Sequence, residues 1–532
     1  MRRVNKANTM TDAIEITPAA TTAAIEELRR QRRSALAAGG EERVAKQHAR
    51  GKYSARERME ILFDAGTFQE LGQLSFQRTT PNGAEPFAGD GVVTGFGQID
   101  GRTVYAYAQD FTIHGGALGE THGRKICQIM DLAAQSGAPL IGLIDSGGAR
   151  IQEGVYSLGG YAEIFRRNSL YSGIVPQISL LLGPCAGGAA YSPALTDLIV
   201  MVEKQSYMFL TGPEVIKAVT GEVVSAEQLG GANVQFSTSG LAHFVTQAER
   251  EAIELAKIIL AYLPSNHLEN PPLAPATDDP RRADLALNTL VPEDPTLPYD
   301  MQTVIERVMD RGSFLEVQGM FARNATVGLA RMGGQPVGVV AQVPGVLAGA
   351  LDIDASDKIS RWVRFCDAFN LPLITFVDTP GFLPGVDQEY QGIIRHGAKI
   401  VYAYATATVP KISVVTRKAY GGAYVVMSSK NLGTDVTFAW PSAEIAVMGG
   451  EGAANVLFRS EIAAAADPAA ARAQYAEEYR KRFLTPYAAA AAGFIDDVIE
   501  PAETRWRIIS ALMALRQKAV VPMARRHGNM PA

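Results

Sequence analysis

The chain has 532 residues, 47% of them hydrophobic and 20% charged, with a formal net charge of −5. This is the composition of a globular protein long enough for more than one core, and its acidic balance gives no electrostatic footprint for nucleic acid. The three cysteines, Cys127, Cys185 and Cys366, form no C-x-x-C pair, so neither a zinc ribbon nor a disulfide framework is indicated.

Residues 1–20 begin with a basic stretch that lacks the apolar centre of a signal peptide. They are expected to be a disordered lead-in, with Met10 as an alternative start. No run approaches the ~20 apolar residues of a membrane span, so a cytoplasmic location without membrane contact is the expectation. Residues 21–63 read as a helical arm, and the simplest reading of its basic residues is a solvated face.

From residue 64 onward the chain repeats itself. Asp64-Ala65-Gly66-Thr67-Phe68-Gln69-Glu70 is matched by Asp310-Arg311-Gly312-Ser313-Phe314-Leu315-Glu316. Gly115-Gly116-Ala117-Leu118-Gly119 is matched by Ala348-Gly349-Ala350-Leu351-Asp352, an offset of 233 (348 − 115). A helix is predicted next in each copy. Ile126, Ile129, Met130 and Ala133 form an apolar stripe at helical spacing, and Ile359, Trp362, Val363 and Cys366 repeat it. The runs APLIGLID (138–145) and LPLITFVD (371–378) read as buried parallel strands ending in an acid. Two glycine pairs close the series, Gly187-Gly188 and Gly421-Gly422, at an offset of 234 (421 − 187).

Between the copies lies Pro264 to Pro298, with eight prolines in 35 residues, which reads as a linker. Strand and helix alternate on either side of it. The prediction is an α/β protein with parallel strands and right-handed crossovers. The expected limits are 21–275 and 276–522 for two duplicated domains, with a tail at 523–532.

Both glycine pairs fall between a predicted strand and a predicted helix. Glycine there leaves backbone N–H groups open to a ligand, and a following helix adds a positive dipole. Such groups make an oxyanion hole, a set of fixed donors aimed at an oxygen that gains charge. One pair alone is more simply a packing turn; two equivalent pairs suggest two stabilised oxyanions, or one active and one vestigial site. Other candidates are weaker. Asp145-Ser146-Gly147-Gly148 contains a protease-like DSGG string, but no triad surrounds it. Gly147 and Gly148 are read as leading into a helix and lining a pocket. His114, Glu120 and His122 fit no standard metal spacing, so surface or pocket-wall positions are expected and no metal is. The glycine-rich stretch 449–459 lacks the Lys-Ser/Thr of a phosphate loop.

The strings GARIQEG (148–154), GPCAGGAAYSPALTDLIVMV (183–202), FVDTPGFLPGVDQE (376–389), RKAYGGAY (417–424) and WPSAEIAVMGGEGAANVLFR (440–459) resemble the carboxyltransferase β subunit of biotin-dependent acyl-CoA carboxylases, of propionyl-CoA and acetyl-CoA type. The resemblance covers about residues 22–530. It implies two crotonase-like domains (ClpP/crotonase superfamily) built from ββα units. It also implies transfer of the carboxyl group from carboxybiotin, carried by a biotin carboxylase/biotin carboxyl carrier α subunit, to the α-carbon of a short acyl-CoA. Two oxygens then gain charge, one on the thioester and one on the ureido ring, and no protein base is required.

By the same resemblance, Gly187 and Gly188 hold the acyl-CoA carbonyl, and Gly422 and Ala423, after Gly421, hold the biotin carbonyl. Gly147, Gly148, Ala149, Arg150 and the turn Ala348-Gly349-Ala350 face the acyl-CoA. Members of this family assemble as hexamers, three dimers in a ring, with each site shared between protomers. Tyr424 and Val425 fall on the biotin side and in the acyl-specificity region. Propionyl-CoA enzymes commonly have Asp where Val425 stands, and an aliphatic residue implies a broader substrate range that includes acetyl-CoA and butyryl-CoA. No Met-Lys-Met biotin-acceptor string and no ATP loop occur, so this chain is expected neither to carry biotin nor to activate bicarbonate. The competing readings are the equivalent subunit of a decarboxylase or transcarboxylase, and a non-catalytic scaffold, against which both intact glycine pairs argue.

Overall fold

A strand covered on both faces needs apolar residues without polar alternation. Leu140–Ser146 and Leu373–Thr379 satisfy this, and both are buried at every position. In the computed structural model, which describes residues 18–77, 87–276, 278–521 and 523–531, they are the middle strands of two eight-stranded sheets.

The first sheet contains β1 (Gln69–Leu71), β2 (Val92–Ile99), β3 (Arg102–Gln109), β4 (Leu140–Ser146), β5 (Gln177–Ala186), β6 (Leu198–Val202), β7 (Tyr207–Phe209) and β8 (Phe244–Thr246). The second repeats it with β9 (Leu315–Val317), β10 (Ala325–Met332), β11 (Gln335–Gln342), β12 (Leu373–Thr379), β13 (Lys411–Tyr420), β14 (Val436–Ala439), β15 (Glu444–Ala446) and β16 (Asp497–Val498). Strands β1 to β3 are antiparallel, β3 to β6 and β8 are parallel, and the second sheet has the same pattern. Register is duplicated too. Leu140 pairs with Tyr105 and Gln177, and Leu373 with Gly338 and Lys411. Even the irregularities coincide, between Ile144 and Ser146 and between Val377 and Thr379.

The predicted helical stripes lie on Glu120–Ser136 and Ile353–Ala368, with all eight stripe residues buried. The arm forms three helices, α1 (Pro18–Leu36), α2 (Glu41–His48) and α3 (Ala55–Leu62). The lead-in expected over 1–20 lies outside the described residues up to residue 17, and residues 18–20 already belong to α1. The Pro-rich segment is not a free tether. Ala274 N donates to Gly334 O, Arg311 N donates to the Asp278 carboxylate, and Leu287–Leu290 is helical. A continuous apolar core joins the halves, with Ile259 and Leu263 on one side and Val317 and Leu329 on the other. No described helix is long and apolar enough to cross a membrane.

The repeated acid at 64 and 310 has a physical use. Asp64 accepts from the N–H groups of Asp100 and Gly101, and Asp310 from those of Gly333 and Gly334, so each closes the β-hairpin of its half. A second pair was not anticipated. Lys125 and Lys358, at an offset of 233 (358 − 125), are both buried. Lys125 Nζ donates to the carbonyls of Gly89 and Val92. Lys358 Nζ donates to those of Gln318, Phe321 and Ala325, at 2.7 to 3.0 Å. Each amine ties its helix to the loop that enters the long hairpin.

Candidate active site

Parallel strands present their carboxyl ends, and the loops that leave them, on one edge of the sheet. In the first half that edge gathers three loops. Gly115–Ala117 follow β3, Gly147–Arg150 follow β4, and Gly187–Gly188 follow β5. Gly147 N donates to Gly115 O, Leu118 N to Gly148 O, and Arg150 N to Leu118 O, at 2.9 to 3.0 Å. The second half rebuilds the group from Ala348–Ala350, Thr379–Gly385 and Gly421–Ala423. There Leu351 N donates to Gly381 O at 3.0 Å, and Leu383 N to Leu351 O at 2.8 Å. The residues that the resemblance implies for CoA are thus divided. Gly147, Gly148, Ala149 and Arg150 stand with Gly187 and Gly188, whereas Ala348, Gly349 and Ala350 stand in the loop group of Gly421.

The two glycine turns share a conformation. Gly187 has φ +63° and Gly421 φ +57°, a left-handed backbone that only glycine adopts without cost. Each turn carries the chain directly from a strand into a helical turn whose first N–H groups have no partner within the helix. The following helices are shorter than the sequence suggested. Gly187–Ala190 is a 3₁₀ turn before the four-residue helix Tyr191–Ala194, and Gly421–Val426 has six residues. A helix so short adds little dipole, so the first backbone N–H groups are the main positive element. Ala348 also holds φ +53°, which its counterpart Gly115 adopts freely.

Arg150 does not reach into open space. It is buried, with Nη1 at 2.6 Å from Asp90 and 2.7 Å from Glu153, and Nη2 donates to Ala117 O. It braces the β3 and β4 loops against each other. Burial pushes the Asp90 carboxyl up, and Arg150 opposes that rise. His122 departs from its expected surface or pocket-wall position. It is fully buried, its ring meets Asp90 O at 3.0 Å and Gln109 at 3.3 Å, and burial with the Arg150 charge holds its pKa well below the usual value. His114 contacts Gln77 instead, at 3.2 Å. Among the described residues, no group of three or more His, Cys, Asp or Glu is arranged to hold a metal ion. Ser146 is buried, and its hydroxyl accepts from Gly148 N, so the DSGG string is a structural turn.

Beneath each loop group lies a buried aspartate. Asp145 accepts at one oxygen from Lys52 (2.6 Å), Arg58 (2.9 Å) and Gln47 (3.1 Å). Asp378 accepts from Arg417 Nε (3.1 Å) and Lys418 N (3.2 Å). The backbone N–H of each donates to a glutamine, Gln109 or Gln342. Sequence reasoning did not find these networks.

Next to the second turn is a cavity of about 550 Å³, lined by Gly421, Gly422, Tyr424, Val425, Ile445 and Phe483, among others. Val425 is 47% exposed and forms part of this wall, while Tyr424 is buried with its hydroxyl directed to Phe494 O. A Cβ placed on Gly422 would meet nothing within 4 Å. Tyr420, just before the turn, donates its hydroxyl to Glu444, which also accepts from Arg480 at 3.0 Å. Burial and Glu444 push that phenol above its usual range, so it stays neutral.

Residues 46–530 match the family model of the carboxyl transferase domain. The chain belongs to that family. It is 56% identical, over 95% of its own length and 99% of the relative's, to the carboxyltransferase subunit of propionyl-CoA carboxylase from Haloferax mediterranei. It is 53% identical to the methylmalonyl-CoA decarboxylase subunit alpha of Propionigenium modestum, over 95% and 98% of the two chains. Among solved structures, transcarboxylase 12S, described as a hexamer assembly with methylmalonyl-coenzyme A and methylmalonic acid bound, matches at a TM-score of 0.93 and 50% identity over the whole of both chains. The chain is therefore an enzyme, a carboxyltransferase of the propionyl-CoA carboxylase type, and its two α/β halves are crotonase-like domains.

Proposed function

We propose that this carboxyltransferase moves a carboxyl group between carboxybiotin, held on a partner subunit, and the α-carbon of a short acyl-CoA. The duplicated glycine turn carries this reading: two left-handed turns at equivalent places, one of them beside an apolar cavity. Gly187 and Gly188 N–H groups hold the thioester oxygen as the α-proton leaves. Gly422 and Ala423 N–H groups hold the ureido oxygen. The apolar wall at Ile445 and Phe483, and the open space above Gly422, suit a small ring with aliphatic edges. When bound, carboxybiotin supplies the carboxyl group and, after releasing it, a basic ring nitrogen that takes the α-proton. Arg150 and the glycine loops of β3 and β4 keep the acyl-CoA side rigid. The Tyr420–Glu444 pair fixes the end of β13, so that the second set of donors is preorganised.

In this reading the loop group of Gly187 meets that of Gly421 from another protomer, within a hexamer arranged as three dimers; the solved neighbour is likewise described as a hexamer assembly. The domain limits at 21–275 and 276–522, a biotin carboxylase/carrier partner and a cytoplasmic location belong to the same proposal. With a biotinylated partner and ATP, the chain is expected to fix labelled bicarbonate into acetyl-CoA and propionyl-CoA. Absence of label in every short acyl-CoA, with a competent partner, would overturn the reading. A second reading, decarboxylation or transfer between two acceptors, is favoured by the 53% and 50% identities to proteins named for those reactions. Label leaving methylmalonyl-CoA for a biotinylated carrier, without any ATP-dependent fixation, would support it.

Val425 sets a further expectation. Placing a carboxylate in the cavity wall makes it polar without filling it, and restores the residue that propionyl-CoA enzymes have there by the resemblance. Val425→Asp is expected to raise the propionyl-CoA to acetyl-CoA ratio of kcat/KM by about 10-fold, within the range one methylene is worth in such a pocket. Kinetics over a series of acyl chain lengths would check it, and an unchanged ratio would remove Val425 from the acyl pocket.

A further inference from the structure

The two buried aspartates are neutralised from different places. Asp378 is met by Arg417, which lies on β13 within the same half. The position equivalent to Arg417 in the first half is Gly183 on β5, at the offset of 234 (417 − 183). A Cβ there would lie 1.9 Å from Asp145 Oδ1 and 2.6 Å from Lys52 Nζ. The first half therefore has no room for a basic residue on its own strand. Its charge comes from outside the repeat, from Lys52 and Arg58 of the N-terminal arm. Arg58 is shared with Glu249, which it meets through two nitrogens at 2.8 and 3.0 Å, whereas the Lys52 ammonium donates only to Asp145 among the described residues.

Lys52 reaches two of the three acyl-side loops indirectly. Asp145 leads straight into Gly147–Gly148, and its carbonyl oxygen lies so close to Gly116 that a Cβ there would be 2.0 Å away. The Lys52 ammonium also stands 5.3 Å from the centre of the Phe111 ring, on the segment that leads from β3 into Gly115. We propose that Lys52 is a positioning residue for the acyl-CoA side of the reaction, acting through Asp145, and that Arg417 has the equivalent place on the carrier side, acting through Asp378. This rests on the assignment of Gly187 to acyl-CoA and Gly422 to biotin.

The test is a set of variants with separate KM values for acyl-CoA and for the biotinylated carrier. Lys52→Met is expected to lower kcat/KM for acyl-CoA by about 10-fold and to leave the carrier KM unchanged, since small misplacements and indirect contacts act on this scale. Lys52→Arg, which keeps the charge, is expected to restore most of the loss. Arg417→Met is expected to show the mirror image, a raised carrier KM with the acyl-CoA KM unchanged. Gln47→Leu removes a neutral donor from the same oxygen of Asp145, so it gives the Lys52 pattern at smaller size even where Lys52→Met folds poorly. A lower melting temperature with both KM values and kcat unchanged would overturn the proposal, as would an equal change in both KM values. A rise confined to the carrier KM in Lys52→Met would overturn it together with the assignment of sides. Loss of the reaction in the unaltered chain would overturn the proposed function before any variant is compared.

Discussion

Gly422→Val is expected to lower kcat for carboxyl transfer by about 100-fold or more, the scale of losing one fixed oxyanion donor, and to leave the melting temperature of the chain almost unchanged. Gly422 has an ordinary backbone conformation, and a Cβ there meets nothing of the protein within 4 Å. The Cβ therefore enters open space, the space proposed for the ureido oxygen. Gly421→Ala differs. Its φ of +57° strains any side chain, and a Cβ would stand 3.0 Å from Val447 O. That variant is expected to lose stability by about 1–2 kcal/mol as well as rate. Initial rates and thermal melts of the two variants separate the effects. Full activity in Gly422→Val would exclude this turn from the chemistry.

Lys358→Met is expected to remove about 2 kcal/mol or more of stability, read as a lower urea midpoint. The side chain keeps its length but strands two buried carbonyls, those of Phe321 and Ala325, while Gln318 O keeps the Phe321 N–H, and each buried group left unpaired costs about 1–3 kcal/mol. Burial pushes both Lys125 and Lys358 down to about 8, so at neutral pH the protonated, donating form of each predominates. Lys125→Met strands one carbonyl, that of Val92, because Gly89 O keeps the Val92 N–H, and it is expected to cost less. A midpoint equal to the unaltered chain's in Lys358→Met would show that the loop finds other donors.

The repeat was legible because duplication preserves spacing. Once 348 − 115 and 421 − 187 agree to one residue, the paired strands, helices and turns follow with the same register. The glycine turns were legible because a left-handed residue between strand and helix calls for glycine. The buried charge networks were not. Carbonyl oxygens accept from Lys358, and every residue has one, so no pattern of side chains announces the cage. The arm misled in a different way. A run of arginines and lysines on helices reads as a solvated face, and Arg29, Arg30, Arg32 and Arg33 are indeed exposed. Arg58 and Lys52 come from the same stretch and are buried because Asp145 and Glu249, 87 and 191 residues beyond Arg58, await them. Only the fold brings those partners together. Arg150 was chosen by resemblance as a ligand contact, and the acids that hold it are distant in sequence or on the next turn.

The Arg58 bridge also bears on the order of folding. Synthesis makes the arm before the sheet it packs on, yet Arg58 cannot close on Glu249 until the helix Glu249–Leu260 exists, a loop of 191 residues. Closing that loop costs about 1–2 kcal/mol more entropy than closing one of roughly 40 residues, and contacts so distant in sequence form late. The second half needs no such wait, because Arg417 and Asp378 lie only 39 residues apart on neighbouring strands. Arg58, made long before Glu249, is thus among the last residues of its half to lock. Lys52 can meet Asp145 earlier, but Arg58 holds only one of its two acids until residue 249 has been made, so the support beneath Gly147 is complete only when the last helix of the first half is in place.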